Sequence, residues 1–394
     1  MISLQRYAAL FDEAELRSAI VASLVGRLPI GVTGLALLLL VQAREGSFTD
    51  AGLVTSAYLG GLAGIAPLVG RLIDRLGPRP VLLVSGLAYP FTLLALTAAV
   101  VHGPPLGLVL ALAFAGGATL PQVTTCMRTL YRRSLQDDAM LVAALSFDSV
   151  LIETVFIVGP MLVAFVVASA SAEYAVLLGA MCAAIGALFV TRTPALRQWT
   201  VELSPHGSLL GALHHSEFRR LLTILLCYAA VFGLVDIGVA TYAHEITRPA
   251  LTGLILGVMS IGSATGGLAY GSRSWHLPLQ RQFAWSLVIM GISIVPLATV
   301  PQPLLLGLLA VVSGLTMAPP LIIQSTIVAK TMPRAQTAEA FTWVTTAMLC
   351  GVGLGFAVGG IVAEAQGATI VFVLASAITI VVGLLARAVL RTPP

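Results

Sequence analysis

Charge is what this chain has least of. Asp, Glu, Lys and Arg together make up 10% of its 394 residues, against roughly a quarter in a soluble domain, which excludes a water-facing shell around a globular core as the main design. Cysteine is sparse too. Cys126, Cys182, Cys227 and Cys350 all fall inside apolar runs without metal-ligand spacing; they read as small apolar residues, not as a disulfide framework or a zinc site. H-E-x-x-H, G-x-S-x-G and a phosphate-cradling glycine loop are all missing, which argues against a membrane-embedded enzyme and removes a nucleotide as energy source. His214 and His215 lack metal partners in sequence, and no cofactor or metal is implied. The net charge of +4 comes from basic residues scattered singly between apolar runs, not the basic face of a nucleic-acid binder. The first seventeen residues carry Asp12, Glu13 and Glu15 instead of the positive segment of a cleaved leader, so the first apolar run is expected to stay as an anchor.

What is abundant is apolar length. Hydrophobic residues make up 58% of the chain, and mean hydropathy is +0.99. Runs of about twenty residues recur throughout, each able to cross a hydrocarbon layer about 30 Å thick as a helix rising about 1.5 Å per residue. Lipid cannot satisfy backbone polar groups, so helices are required. Twelve spans are expected near 18–41, 51–70, 80–101, 105–127, 140–168, 174–191, 219–243, 251–271, 281–300, 302–327, 338–364 and 368–390. The loops then alternate sharply in basic charge. Of the 21 Lys and Arg, Arg27 lies inside a span, Arg44 and Arg248 fall on one side, and all others, from Arg6 to Arg334 and Arg391, fall on the opposite side. The positive-inside rule makes the arginine-rich side cytoplasmic, with both termini and the central loop, in a multi-pass cytoplasmic-membrane protein.

The halves repeat. Ala14-Glu15-Leu16-Arg17 resembles Ser216-Glu217-Phe218-Arg219 at an offset of 202, while Ala51-Gly52-Leu53 matches Thr252-Gly253-Leu254 and Gly70 matches Gly271 at 201. The expected organisation is a six-helix bundle over 1–191, a cytoplasmic connection over 192–218 and a second bundle over 219–394: an all-α integral membrane fold of two pseudo-symmetric halves with a site near midplane between them.

Between spans 2 and 3 the chain reads Gly70-Arg71-Leu72-Ile73-Asp74-Arg75-Leu76-Gly77-Pro78-Arg79-Pro80. This resembles the G-x-L-x-D-R-x-G signature of the major facilitator superfamily, in the loop where that family carries it. Pro78 departs from the pattern, standing where a basic residue is usual, and the second-half counterpart has decayed to Gly271-Ser272-Arg273. The resemblance implies alternating-access transport of a small molecule by one twelve-helix chain. It also implies a latch built from Gly70, Asp74, Arg75, Gly77 and Arg79, with Arg128 at the end of span 4 as the partner of Asp74. Gly70 and Gly77 are read as sites of close helix approach and chain turning. Topology determination alone is the competing reading of the arginines.

Ionisable residues inside spans are costly and are functional candidates by default. Arg27 and Asp148 reach similar depth, roughly 12 to 14 Å by helical rise, in spans that are neighbours in the implied fold, so an ion pair is expected, either structural or part of the mechanism. Glu153 lies about 140° around span 5 from Asp148 and shares a polar stripe with Ser146, Ser149 and Pro160. A poorly hydrated acid holds its proton more tightly and can exchange it near neutrality, which makes Glu153 the proton-coupling candidate; a permanently bonded acid is the alternative. Val158-Gly159-Pro160 resembles the glycine-proline core of drug and proton antiporters in part, Ala164 replacing one glycine; a plain proline kink is the alternative. Asp236 in span 7 is either a substrate contact or a packing group. Gln122, Thr125, Gln324 and Trp343 are further cavity candidates, and Pro121 and Pro319 recur as kink sites. Gly60 and Gly64, like Gly351, Gly355 and Gly359, are spaced for close helix contact. The functional expectation is proton-coupled efflux, with a passive facilitator or a proton-coupled importer as alternatives. Cysteine-accessibility labelling is expected to find 192–218 on the same face as both termini; labelling from the opposite face overturns this orientation.

Overall fold

The computed structural model describes residues 11–103, 105–135, 137–199, 211–273, 275–300, 302–333 and 336–390. Arg6, Arg334, Arg391 and the side chains of Asp74 and Ser146 lie outside the described residues. All regular structure among the described residues is helical. Eleven helices are long and apolar enough to cross a membrane: Ala14–Glu45, Phe48–Leu76, Pro78–His102, Leu106–Ser134, Asp138–Ser169, Ala172–Arg192, Ser216–Glu245, Leu251–Gly271, Leu279–Ala298, Pro303–Thr331 and Thr337–Val389. The last would be about 80 Å long at 1.5 Å per residue, far more than one crossing needs. It is broken at Gly367, whose φ of 76° and ψ of −178° are non-helical. Spans 11 and 12 therefore meet there, and Glu245 at the end of span 7 accepts the Ala368 N–H at 2.9 Å, capping span 12.

Spans 4 and 10 are each interrupted, at Leu120–Gln122 and at Leu315–Met317, next to Pro121 and Pro319. Proline removes a backbone donor, and its recurrence at matching places bends both helices alike. Gly77 alone links spans 2 and 3. Its φ of 83° suits a residue without a Cβ, and Pro78 opens the next helix at a position where no backbone N–H is required. Gly70 differs from expectation: a methyl group there would meet nothing within 4 Å, so it mediates no close helix contact.

Spans 1 to 6 pack chiefly on one another, as do spans 7 to 12, and the halves join through span 2 on span 11 and span 5 on span 8. In lipid, helices gain little by hiding apolar area and associate through close backbone contact at small residues. Here that contact is duplicated. A methyl on Gly61 would lie 1.9 Å from the Phe114 carbonyl oxygen and one on Gly117 1.8 Å from that of Tyr58; in the second half a methyl on Gly262 would lie 2.2 Å from Val311 O and one on Gly314 2.1 Å from Met259 O. A methyl on Gly31 against Val155 O (2.5 Å) likewise repeats as one on Gly233 against Val352 O (2.3 Å). The joints between halves obey the same rule: a methyl on Gly52 would lie 2.2 Å from Phe356 O and one on Gly253 2.0 Å from Pro160 O. At Gly60 and Gly64, expected to make such contacts, an added methyl would have no neighbour nearer than 4.0 Å; the residue in contact is Gly61, one position and about 100° away. Gly351 and Gly355 do sit on span 7, where added methyl groups would lie 2.3 and 1.9 Å from the Leu226 and Ala230 carbonyl oxygens.

Any side chain at Gly117 must push spans 2 and 4 apart. Gly117→Leu is expected to cost about 3 kcal/mol or more, the upper end for overpacking, whereas Gly60→Ala is expected to be neutral. Thermal unfolding of the two purified variants in one detergent makes the comparison; equal melting temperatures would remove the glycine contacts as the basis of packing.

Candidate functional site

The charged centre of the first half is built on three helices. Arg27 from span 1 and Asp148 from span 5 are both 0% exposed and paired. Arg128 from span 4, 49% exposed, donates from Nε to the other Asp148 oxygen at 2.8 Å. Both carboxylate oxygens are thus held by guanidinium groups. Arg27 Nε and Nη1 and the Tyr131 hydroxyl are buried beside them without hydrogen-bond partners among the described residues. Arg128, the expected partner of Asp74, whose side chain lies outside the described residues, bonds Asp148. Arg75 and Arg79 are exposed at the same end.

At about 100° per residue, span 5 divides into distinct faces. Asp148, Val155 and Gly159 meet span 1, with Gly159 so close over the Gly31 backbone that an added methyl would lie 2.6 Å from its carbonyl carbon. Pro160 and Ala164 meet Gly253 of span 8. Val150, Val158 and Phe165 form an exposed apolar face of the kind that lipid covers. Ser149, about 100° from Asp148, falls between the span 1 and span 8 faces, and Glu153, about 140° from it, lies on the span 8 side itself, about two turns nearer the arginine-rich end than Pro160, so it is directed towards the other half. Ser149 is exposed and bonds the Leu145 carbonyl. Glu153 is half-buried and makes no hydrogen bond or ion pair among the described residues. Two acids five residues apart thus have opposite circumstances: Asp148 is saturated by cations, Glu153 is unengaged.

On span 4, Thr125 and Arg128 share an exposed polar face, and Gln122 is half-buried one turn away, its Oε1 3.5 Å from Thr125 Oγ1. The other candidates are not gathered with them. Gln324 is buried, its amide on Met348 Sδ at 3.2 Å and its Oε1 unpartnered. Trp343 packs half-buried on the apolar cluster of the second half. Asp236, half-buried in span 7, makes no hydrogen bond or ion pair among the described residues and lies between Gly233, pressed on span 11, and Gly238, pressed on Phe372 of span 12.

Two polar assemblies escaped the sequence reading. A buried chain of hydroxyls runs from Thr33 through Tyr89 to Tyr58, each step 2.8 Å, tying spans 1, 2 and 3. At the arginine-poor end, Glu364 of span 11 accepts from Ser47 Oγ (2.7 Å) and Thr49 N (2.8 Å) at the start of span 2. Beside it Gln42 Nε2 lies 3.1 Å from His244 Nδ1, whose ring packs on Phe48. A carboxylate at a helix start is favourable, and this one comes from the opposite half. Nothing in the sequence marked Glu364 as a partner of Ser47. These contacts, with those at Gly52 and Gly253, join the halves at the arginine-poor end, while Thr125, Arg128 and Ser149 stand exposed towards the arginine-rich end.

A sequence profile of the Major Facilitator Superfamily matches residues 19–247 and 221–394. No curated protein sequence matches the chain. Among solved structures, the nucleoside transporter NupG superposes with a TM-score of 0.74 at 17% identity, over 97% of this chain and 100% of that one. The human organic anion transporter MFSD10 (TETRAN) gives 0.65 at 18%, over 94% and 98%, and the peptide transporter POT, in complex with sulfate, 0.71 at 15%, over 94% and 93%. At such identities the likeness is one of fold.

Removing one partner of a buried ion pair strands the other. Asp148→Asn is expected to cost about 3–5 kcal/mol by leaving Arg27 uncompensated, and Arg27→Gln combined with Asp148→Asn to recover most of it. Thermal unfolding of the single and double variants tests this; additive losses would show that the two side chains do not depend on each other.

Proposed function

The chain belongs to the Major Facilitator Superfamily, a family of membrane transporters and not of enzymes, and on that premise we propose that it exports a small molecule by alternating access against proton entry. The observation that carries the proton coupling is the contrast within span 5. Asp148 accepts from two guanidinium groups, one on each carboxylate oxygen. Glu153, five residues on, has no such partner and is directed towards the other half, so its charge can change as the space between the halves is wetted or closed. An acid that must be neutral when lipid or protein surrounds it, and can ionise when water reaches it, ties proton binding to the conformational step.

The direction rests on two further features. Gly159-Pro160, whose sequence resembles the antiporter signature, lies where span 5 touches both Gly31 of span 1 and Gly253 of span 8, at a joint across which the halves must move. The end at which Thr125, Arg128 and Ser149 stand exposed carries nearly all the arginines, and the positive-inside rule assigns it to the cytoplasm; an exporter collects its substrate there. One chain contains the whole arrangement, which supports a monomeric transport unit in the cytoplasmic membrane.

The test uses proteoliposomes and a fluorescent amphipathic dye that the wild type excludes from cells in a protonophore-sensitive manner. Glu153→Gln is expected to lose most of the pH-gradient-driven movement while retaining dye exchange at equal pH on both sides. Undiminished gradient dependence would remove Glu153 from the coupling, and dye equilibration indifferent to protonophore in the wild type would overturn the exchanger reading in favour of a passive facilitator.

A further inference from the structure

Two cavities open side by side on the outer wall at the arginine-poor end. One, of about 620 Å³, is lined by Gln42, Arg44, Val167, Glu173 and Pro249 among others. Its neighbour, of about 580 Å³, is lined by Met161, Ala164, Phe165, Arg248 and Leu254, and shares Val167 and Pro249 with the first. The first lies among the outer ends of spans 1, 5 and 6 and the second is a trough between spans 5 and 8; the turn after span 7 borders both through Pro249. The apolar floor of the trough opens sideways: Phe165 and Leu254, 70% and 48% exposed, lie on helix faces that lipid must cover in a membrane. The two arginines assigned to this end of the chain line one cavity each, Arg44 the first and Arg248 the trough.

The two are not equivalent. Arg44 Nε donates to Glu173 Oε1 at 2.6 Å, so its charge is neutralised locally. The Arg248 side chain is exposed and makes no hydrogen bond or ion pair among the described residues. Its backbone is nonetheless fixed. Thr247 adopts a φ of 58°, a left-handed conformation uncommon for a residue with a branched side chain, and Arg248 N closes onto the Ala243 carbonyl at 2.8 Å. The turn thus holds an uncommitted guanidinium at headgroup level, directly above an apolar trough.

We propose that this trough is a binding site for a phospholipid with an anionic headgroup, its phosphate oxygens on Arg248 and an acyl chain along Met161, Ala164, Phe165 and Leu254. An isolated exposed guanidinium holds a free anion weakly. A chain lying in the trough tethers the phosphate beside it and raises its effective concentration. A zwitterionic headgroup brings its own cation and gains less from Arg248 than an anionic one. One wall comes from span 5 and the other from span 8 with the turn after span 7, so a seated lipid bridges the two halves and stabilises the conformer closed at this end. The site is independent of whether transport is proton-coupled.

Native mass spectrometry of the full-length protein with equal amounts of palmitoyl-oleoyl phosphatidylglycerol and phosphatidylcholine tests it. Phosphatidylglycerol is expected to be retained about fivefold more, the factor that one arginine near a charged surface contributes. Arg248→Gln is expected to lower it to the phosphatidylcholine level, and Arg273→Gln, exposed at the opposite end, to leave it unchanged. Equal retention of the two lipids by the wild type, a requirement that needs no variant to fold, overturns the proposal, as does undiminished preference in Arg248→Gln. Displacement of the lipid by inorganic phosphate alone would make this an ion site, not a lipid site.

Discussion

Backbone carbonyls seated on glycine are the contact on which this architecture depends. A bilayer offers helices little reward for hiding apolar side chains from one another, so position is set by how closely two backbones can come. At Gly61 and Gly117 spans 2 and 4 lock reciprocally, and at Gly262 and Gly314 spans 8 and 10 do the same. The joints between halves, Gly52 on span 11 and Gly253 on span 5, use the identical device. Contacts within and between halves therefore differ in number, not in kind. A contact made of a few carbonyl-to-glycine approaches and short polar bonds such as Glu364 to Ser47 can be parted and remade without exposing a large unsatisfied surface, as a rocking motion requires.

The pairing of charges follows from the same solvent. A fully buried arginine is tolerable only with a counter-charge, and Arg27 takes Asp148. Arg128 then supplies a second guanidinium to that carboxylate, leaving the centre with a surplus of one positive charge. Glu153 lies five residues further along the same helix, about 7.5 Å by rise, without a partner of its own. Its ionisation would balance that surplus through space and its protonation would restore it, so the saturated triad gives the neighbouring acid a reason to respond to the local environment.

Much of this was legible in the chain. Apolar run lengths and the alternation of arginine between loops yield twelve spans, and the offset of 201 to 202 between matching segments locates the duplication that the glycine contacts display at atomic distance. The errors share one cause: spacing along a helix identifies small residues but not the face they occupy. Gly60 and Gly64 have the spacing of a packing motif, yet the contact belongs to Gly61, and Gly70 faces open space. Partner choice was equally hidden. Sequence pairs Asp148 with Arg27 alone, and only the packing of span 4 on span 5 adds Arg128 as its second guanidinium. The Glu364 cap and the Gln42 to His244 contact were beyond reach because they join residues some 200 to 320 positions apart, and nothing in either segment names the other.

The duplication stops short of the charges. At the offsets defined by the paired glycine contacts, 202 for span 1 and 197 for spans 4 and 5, Arg27 corresponds to Ala229, Arg128 to Ser325, Asp148 to Thr345 and Glu153 to Cys350. The second half answers with an acid of its own, Asp236, whose counterpart in the first half is Gly34. Packing residues are thus held in common while ionisable ones are not, because a fold needs each helix joint twice but a coupling site needs its charges once. An asymmetric set of charges on a symmetric frame also means that the two halves experience the wetting and drying of the central space differently. Under the proposed exchange mechanism, that difference is what would let proton binding bias one end of the cycle over the other.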